Sequence, residues 1–379
     1  MAELPRRTLV AAFAATGLAA HAAAAPGKPA KPAAFAKPAA SGKLDVVAQF
    51  EQQVTGVAVT PSGRIFVNFP RWEQDVAISV AEVGPGNKLT PYPNAEWNAW
   101  RNDHKLSNGD HFICVQGVVA GPQNSLWVLD PAAPGNEFNL EGGPKLVEID
   151  LAFNQPKRTI LFDREVIPQG SYLNDVRFSG DGKWAYITDS GVIGALIVVD
   201  LTSNTAKRVL SGHPSTQVEA DVVVMTDGKP LKRPDDRGPA FAADGIALDP
   251  KGEYLYWQAL AGKTLYRIAT TALRDADAAK AVAAVEKLGT TCVADGYWMD
   301  RTGRLFITSP SDNSVKLRRP DGTLAIVAQD PRLRWPDSMA EGADGSLYVT
   351  ASHIQDMAQW HKDGSTRKLP YMLFKFRAG

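Results

Sequence analysis

The 379 residues carry 41 Lys+Arg against 41 Asp+Glu, a formal net charge of zero, so no global positive field exists to draw in nucleic acid or anionic lipid. Hydrophobic residues at 44% suffice for a packed core, and 32 Gly with 26 Pro suit many short strands joined by turns. Two cysteines are too few for a disulfide scaffold.

The N-terminus reads as an export signal. Arg6-Arg7 precede an apolar, alanine-rich run from Leu9 to Ala20, and small residues follow at Ala20-His21-Ala22 and on to Ala25. Charged start, short apolar middle and small-x-small site are the parts of a secretory peptide. The arginine pair followed by Thr8-Leu9-Val10 also suits the twin-arginine route. The apolar run falls short of the ~20 residues that span a bilayer. Residues 1–25 are therefore assigned to a signal peptide and 26–42 to a semi-rigid Pro/Ala/Lys tether. Residues 43–379 form the folded domain, expected in the periplasm or outside the cell.

Six copies of one pattern follow: VTGVAVTPSGRIFVNF (54–69), VQGVVAGPQNSLWVLD (115–130), LNDVRFSGDGKWAYITDS (173–190), ADGIALDPKGEYLYWQAL (243–260), ADGYWMDRTGRLFITSP (294–310) and PDSMAEGADGSLYVTAS (336–352). Each has a polar residue, a short apolar strand, a glycine-bearing turn and a second strand with a central aromatic (Phe66, Trp127, Tyr186, Tyr256, Phe306, Tyr348). Two short strands about such a turn form a hairpin. Further strand signals lie between copies, such as KLVEID (145–150) and ALIVVD (195–200). One copy plus its connecting strands makes a four-stranded sheet. Steps run from 42 residues (295 to 337) to 70 (174 to 244), which brackets propeller blades with their loops. The expectation is an all-β, six-bladed β-propeller with four-stranded antiparallel blades. Residues 271–288, rich in Ala and charge and lacking Gly-Pro punctuation, break the rhythm and predict a helix outside a blade.

In a radial fold, equivalent positions at the innermost strands converge on the axis. The residue before each first strand is Thr55, Gln116, Asn174, Asp244, Asp295 and Asp337, and all six supply an oxygen. Gathered carboxylates repel and resist desolvation unless a cation, a shared proton or a cationic ligand relieves them. Hard oxygen donors suit calcium or magnesium, so Asn174, Asp244 and Asp295 are the candidate metal ligands, with calcium the expected cofactor. Asp244 and Asp295 are the candidate catalytic acids. Thr55, Gln116, Asn174, Asp189 and Asp337 are candidate ligand-binding residues, and Asp175 is a secondary one. An Asp beside a hairpin glycine can also do no more than fix its turn.

The six histidines show no zinc spacing. There is no G-x-S-x-G elbow, phosphate loop or CxxC. Cys114 and Cys292 belong to copies two and five, opposite each other in a six-fold ring and beyond the ~7 Å limit of a disulfide, so two free, buried thiols are expected. The aromatics of FPRW (69–72) and YPNAEWNAW (92–100) either pack a loop or wall the channel for a flat ligand.

PRW (70–72), PYPNAEWNAW (91–100), GPKLVEIDL (143–151), YLNDVRFSGDGKWAYITDSG (172–191), GALIVVDL (194–201) and WPDSMAEGADGSLYVTAS (335–352) resemble segments of the major royal jelly protein/yellow family, in order along nearly the whole folded part. The resemblance implies a secreted six-bladed propeller. Some members convert dopachrome, some bind small amines, and others are nutritional or structural. A more distant likeness is to gluconolactonase/regucalcin propellers, which hold a divalent cation at the channel. Asn174 and Asp244 match that group's motifs, while Thr55 stands where it carries a glutamate.

The expectation is an exported propeller that binds a small polar or aromatic molecule in its central channel. If it is an enzyme, lactone hydrolysis or dopachrome-type isomerisation is the expected chemistry. The alternative is a non-catalytic ligand-binding or scaffold protein. No nucleic acid and no membrane span are expected, and the chain is expected to act as a monomer.

Overall fold

The computed structural model describes residues 42–378 apart from His104. The signal peptide and all but the last residue of the tether lie outside the described residues. Those described build six four-stranded antiparallel sheets, the blades of a six-bladed β-propeller. Blade one comprises Val57–Val59, Ile65–Asn68, Val80–Val83 and Leu89–Pro91. Blade two is Gly117–Gly121, Ser125–Asp130, Lys145–Asp150 and Gln155–Leu161. Blade three is Leu173–Phe178, Trp184–Asp189, Ala195–Asp200 and Thr205–Val209. Blade four holds Ala243–Leu248, Tyr254–Ala259, Thr264–Ala269 and Glu286–Thr290, and blade five Tyr297–Met299, Leu305–Ser309, Ser314–Arg318 and Leu324–Gln329. Each repeated hairpin thus supplies the first two strands of a blade.

Blade six is closed differently. Pro336–Glu341, Leu347–Ala351 and Tyr371–Phe376 are completed by Asp45–Phe50 from the start of the domain, with Phe50 opposite Tyr371. Hydrogen-bonding the two ends of the folded domain into one sheet seals the ring and hides the edge of Tyr371–Phe376.

The central aromatic of each second strand explains why the blades stay together. Phe66 packs with Val118, Leu126 and Val128 of blade two. Trp127 packs with Val176, Ala185 and Ile187 of blade three, and Tyr186 with Ile246, Leu255 and Trp257 of blade four. Tyr256 reaches Tyr297 and Ile307, Phe306 reaches Met339 and Val349, and Tyr348 returns to Val57 and Val67 of blade one. Each ring is a bolt from one blade into the next, contributing about 1.5–3 kcal/mol of apolar burial.

The interrupted segment holds two short helices, Thr270–Arg274 and Ala278–Ala283. Its end, from Glu286, joins the outer strand of blade four, so the break in rhythm is an insertion within a blade. Leu273 and Ala281 are buried with Trp257, and Arg274 Nε donates to the Tyr186 hydroxyl at 2.6 Å. Both thiols are free as expected; Cys114 is buried, but Cys292 is only half-buried. Among the described residues no helix is long and apolar enough to cross a membrane.

Candidate functional site at the channel floor

Five of the six equivalent residues meet at one cavity of about 600 Å³, whose lining includes Gln116, Asn174, Asp244, Asp295 and Asp337. Local backbone explains the convergence. The inner strands of blades three, four and six shift register between Leu173 and Val176, Ala243 and Ile246, and Pro336 and Met339. These bulges fall at Asn174, Asp244 and Asp337 and re-aim those side chains. The second strands then latch the bulges to the next blade: Thr188 Oγ1 donates to Asp244 O at 2.7 Å and Thr350 Oγ1 to Thr55 O at 2.6 Å.

Close approach at the axis also fixes a glycine. A Cβ on Gly245 would lie 2.4 Å from the carbonyl oxygen of Asp295, a contact that only displacement of the neighbouring inner strand relieves. Gly245→Ala is expected to lower stability by about 1–3 kcal/mol, measured by denaturant unfolding. A neutral outcome would mean that the inner strands are free to separate.

The sixth position departs from the set. Thr55 is buried and is not part of the cavity wall. Its Oγ1 donates to Gln116 O at 2.9 Å and accepts from Asn68 Nδ2 at 2.8 Å, so it ties blade one to blade two. Asp189 is likewise corrected from ligand-binding to structural. Its carboxylate accepts from Tyr172 N (2.7 Å) and Gly191 N (2.9 Å) and is paired with Arg208 at 2.6 Å. Asp130 does the same one blade earlier, accepting from Cys114 N (3.0 Å) and Ala132 N (2.8 Å), with Lys145 at 3.1 Å. Both acids end a second strand and brace the turn that leads into a floor residue.

The floor has two halves. On one side lies a carboxamide chain: Trp72 Nε1 donates to the Tyr172 hydroxyl (2.6 Å), which donates to Gln116 Oε1 (2.9 Å). Gln116 Nε2 then donates to Asn174 Oδ1 (3.0 Å), and Asn174 Nδ2 to Ser190 Oγ (3.3 Å). On the other side are three buried aspartates. Asp244 and Asp295 lie close enough for the charge of Asp295 to act on Asp244, and the Trp335 indole donates to Asp295 Oδ2. Ser338 Oγ donates to Asp337 Oδ1 at 3.1 Å, whereas Asp337 Oδ2 is buried with no hydrogen-bond partner among the described residues.

Burial raises all three acids. It pushes Asp295 up to about 7. Asp244 is driven well above the usual carboxylate range by burial and then by the charge of Asp295. Asp337 is raised by burial and by Asp295 and Asp175. The Trp335 N–H favours the ionised form of Asp295 and opposes part of its rise.

Asp175 lies on the far side of the floor from this cavity. Burial raises it and Arg177 opposes the rise; the two are 3.4 Å apart. From blade three, Arg177 reaches blade five, donating to Tyr297 O at 2.7 Å with its guanidinium 5.5 Å over the Trp298 ring. It thereby bridges the channel beside a second, smaller cavity of about 250 Å³.

Above the floor, Trp72, Tyr172, Phe241, Leu260, Met357 and Trp360 wall the cavity. Phe138 (67% exposed) and Val192 (83%) form an apolar rim. The connection from blade three to blade four arches over the opening and carries a small hairpin, Met225–Thr226 with Lys229–Pro230. Arg334 pins that arch, with Nη1 and Nη2 on the two oxygens of Asp227 (2.8 and 2.6 Å) and Nη2 on Asp356 Oδ1 (2.7 Å).

The proposed metal set does not fit a calcium ion as arranged. Calcium takes six to eight oxygens, but Asn174 Oδ1 is engaged by Gln116 and Asp295 Oδ2 by Trp335. Among the described residues no group of three or more His, Cys, Asp or Glu is placed to hold a metal.

A closed six-bladed ring with a cavity at the axis defines a channel-site β-propeller. The profile of the Major royal jelly protein family matches residues 113–377, and the chain belongs to that family. Solved structures of similar fold include a streptogramin B lyase (10% identity, TM-score 0.53, 91% of this chain and 100% of that one). A gluconolactonase from Xanthomonas campestris is similar at 13% identity and TM-score 0.52, covering 91% and 93%. A calcium-binding regucalcin from Agrobacterium tumefaciens shares 14% identity at TM-score 0.52, covering 87% and 93%. At these identities the likeness is one of fold. No curated protein matches the chain in sequence.

Sequence reasoning singled out only Trp72 of the aromatic wall. Tyr172, two residues before Asn174, and Trp335, two before Asp337, were readable as neighbours of a repeat position. Phe138, Arg233, Phe241 and Trp360 lie in connections outside the repeat, where no register could find them.

Proposed function

We propose that the cavity binds a small aromatic molecule through a cationic or hydrogen-bond-donating group directed at Asp244, Asp295 and Asp337. The observation that carries this reading is the unpartnered, buried Oδ2 of Asp337 at the base of an aromatic-walled cavity. A buried acceptor without a donor costs stability, and a ligand ammonium group relieves it. Family membership supports a small-molecule role. The test is calorimetric titration with tryptamine: binding to the wild type is expected, weakened about tenfold or more by Asp337→Asn. Equal affinity in the two proteins would sink the floor reading.

A second reading adds chemistry to the same site. In it, a proton shared between the two raised carboxylates makes Asp244 a general acid and Asp295 a general base near neutral pH, an arrangement suited to lactone hydrolysis or dopachrome-type isomerisation. Turnover of a lactone or dopachrome panel that is lost in Asp244→Asn supports it. Flat progress curves together with tryptamine binding leave a non-catalytic ligand-binding protein. Because the donor set is engaged, calcium is expected to leave the melting temperature unchanged; a rise abolished by Asp295→Asn would restore the cation. Export of the chain as a monomer completes the reading, tested by N-terminal sequencing and sizing of the mature protein.

A further inference from the structure

One wall of the same cavity has the reverse character. Arg233 is half-buried in the arch and lines the cavity. Its Nη2 donates to Gln359 Oε1 at 2.9 Å, and its guanidinium sits 5.5 Å over the Trp360 ring. Among the described residues it has no ion pair, and its Nε and Nη1 have no hydrogen-bond partner. The acids of its own loop are taken by others: Asp235 pairs with Arg237 at 2.6 Å and Asp236 with Lys232 at 3.6 Å. Beside it, two more donors are buried without partners, Gln359 Nε2 and Trp360 Nε1. One wall of the cavity therefore holds a positive charge paired with no anion and two buried donors with no acceptor.

A buried donor without an acceptor costs what a lost hydrogen bond costs, and guanidinium geometry suits a carboxylate. Building on the floor reading, we propose that Arg233, with Gln359 and Trp360, binds an anionic group of the ligand, so that the cavity prefers an aromatic zwitterion to the corresponding amine. The floor residues are nearly inaccessible while Arg233 is only half-buried. The ligand's two charges are thus held at different depths, and an aromatic ring between them fits the walls. An amine and a carboxylate at opposite ends of one ring match this layout.

The test is calorimetric titration of three probes near neutral pH: 4-(aminomethyl)benzoate, its methyl ester and benzylamine. The acid is expected to bind the wild type about tenfold tighter than the ester, since the two differ in the negative charge and one methyl group. Arg233→Met keeps the stem against Trp360 and is expected to erase that preference while leaving ester affinity within about twofold. Equal binding of acid and ester to the wild type overturns the inference, as does a preference that persists in Arg233→Met. Benzylamine separates the two readings. If it binds and the acid gains nothing, the floor reading stands and this one fails; if none of the three binds, both fail.

Discussion

Asp295→Asn is expected to make the protein more stable near neutral pH while weakening its affinity for amines. The reason is the sign of the pKa shifts. In the unfolded chain an aspartate titrates near its ordinary value of about 3.9; in the folded chain Asp295 is pushed up to about 7, with Asp244 and Asp337 also raised. Between these limits the folded state holds more protons than the unfolded one. Their contribution to stability is therefore full below pH of about 4 and is lost as pH rises through about 7. An asparagine has no such loss and still accepts from the Trp335 indole. At pH 7 the variant should exceed the wild type by roughly 2–4 kcal/mol, and the gap should shrink toward pH 4.

The comparison must be a difference between proteins. Burial lowers His353 to about 4, and a histidine held neutral gains stability with rising pH over the same window, masking the aspartates in the wild type alone. Thermal melts of both proteins across this range decide the matter. A gap that widens as pH falls would contradict the account.

The second large effect concerns Arg71, whose side chain is fully buried beside blade one. Its guanidinium donates to Asp75 Oδ1 (2.8 Å), Ser79 Oγ (2.7 Å) and the carbonyls of Val76 (2.9 Å), Trp100 (2.7 Å), Ile113 (2.6 Å) and Phe112 (3.1 Å). It gathers the long connection into blade two and the chain just before Gln116. Arg71→Met fills the space but strands several buried acceptors. A loss of roughly 3–5 kcal/mol is expected, seen as a drop of roughly 5–10 °C in Tm. Amine affinity should fall too, because Gln116 loses its anchor. A Tm within about 2 °C of the wild type would show that water or neighbouring donors replace the guanidinium.

The propeller was legible because its cause is repeated. Six hairpins, each with a glycine turn and an aromatic bolt such as Trp127 or Phe306, state the blade in local terms that a single sequence exposes. The polar residue before each inner strand was legible for the same reason, and five of the six reach the cavity. Thr55 does not, because Asn68 and the Gln116 carbonyl engage its hydroxyl; a register position fixes where a Cα lies and not where its side chain finds a partner. Asp189 was misjudged although Asp130 occupies the equivalent place, since the basic partners Arg208 and Lys145 come from different strands and break the pattern. Closure of blade six by Asp45–Phe50 and the donor wall at Arg233 depend on segments that occur once, so nothing in the chain announces them.

We propose a proton shared by Asp244 and Asp295 as the core of the account; a cationic ligand that settles beside them should displace it. Titrating tryptamine near pH 6.5 in buffers of differing ionisation enthalpy measures that proton directly; release of about one per ligand is expected from the wild type and about none from Asp295→Asn. Binding with no proton released, or equal release from both proteins, would contradict it.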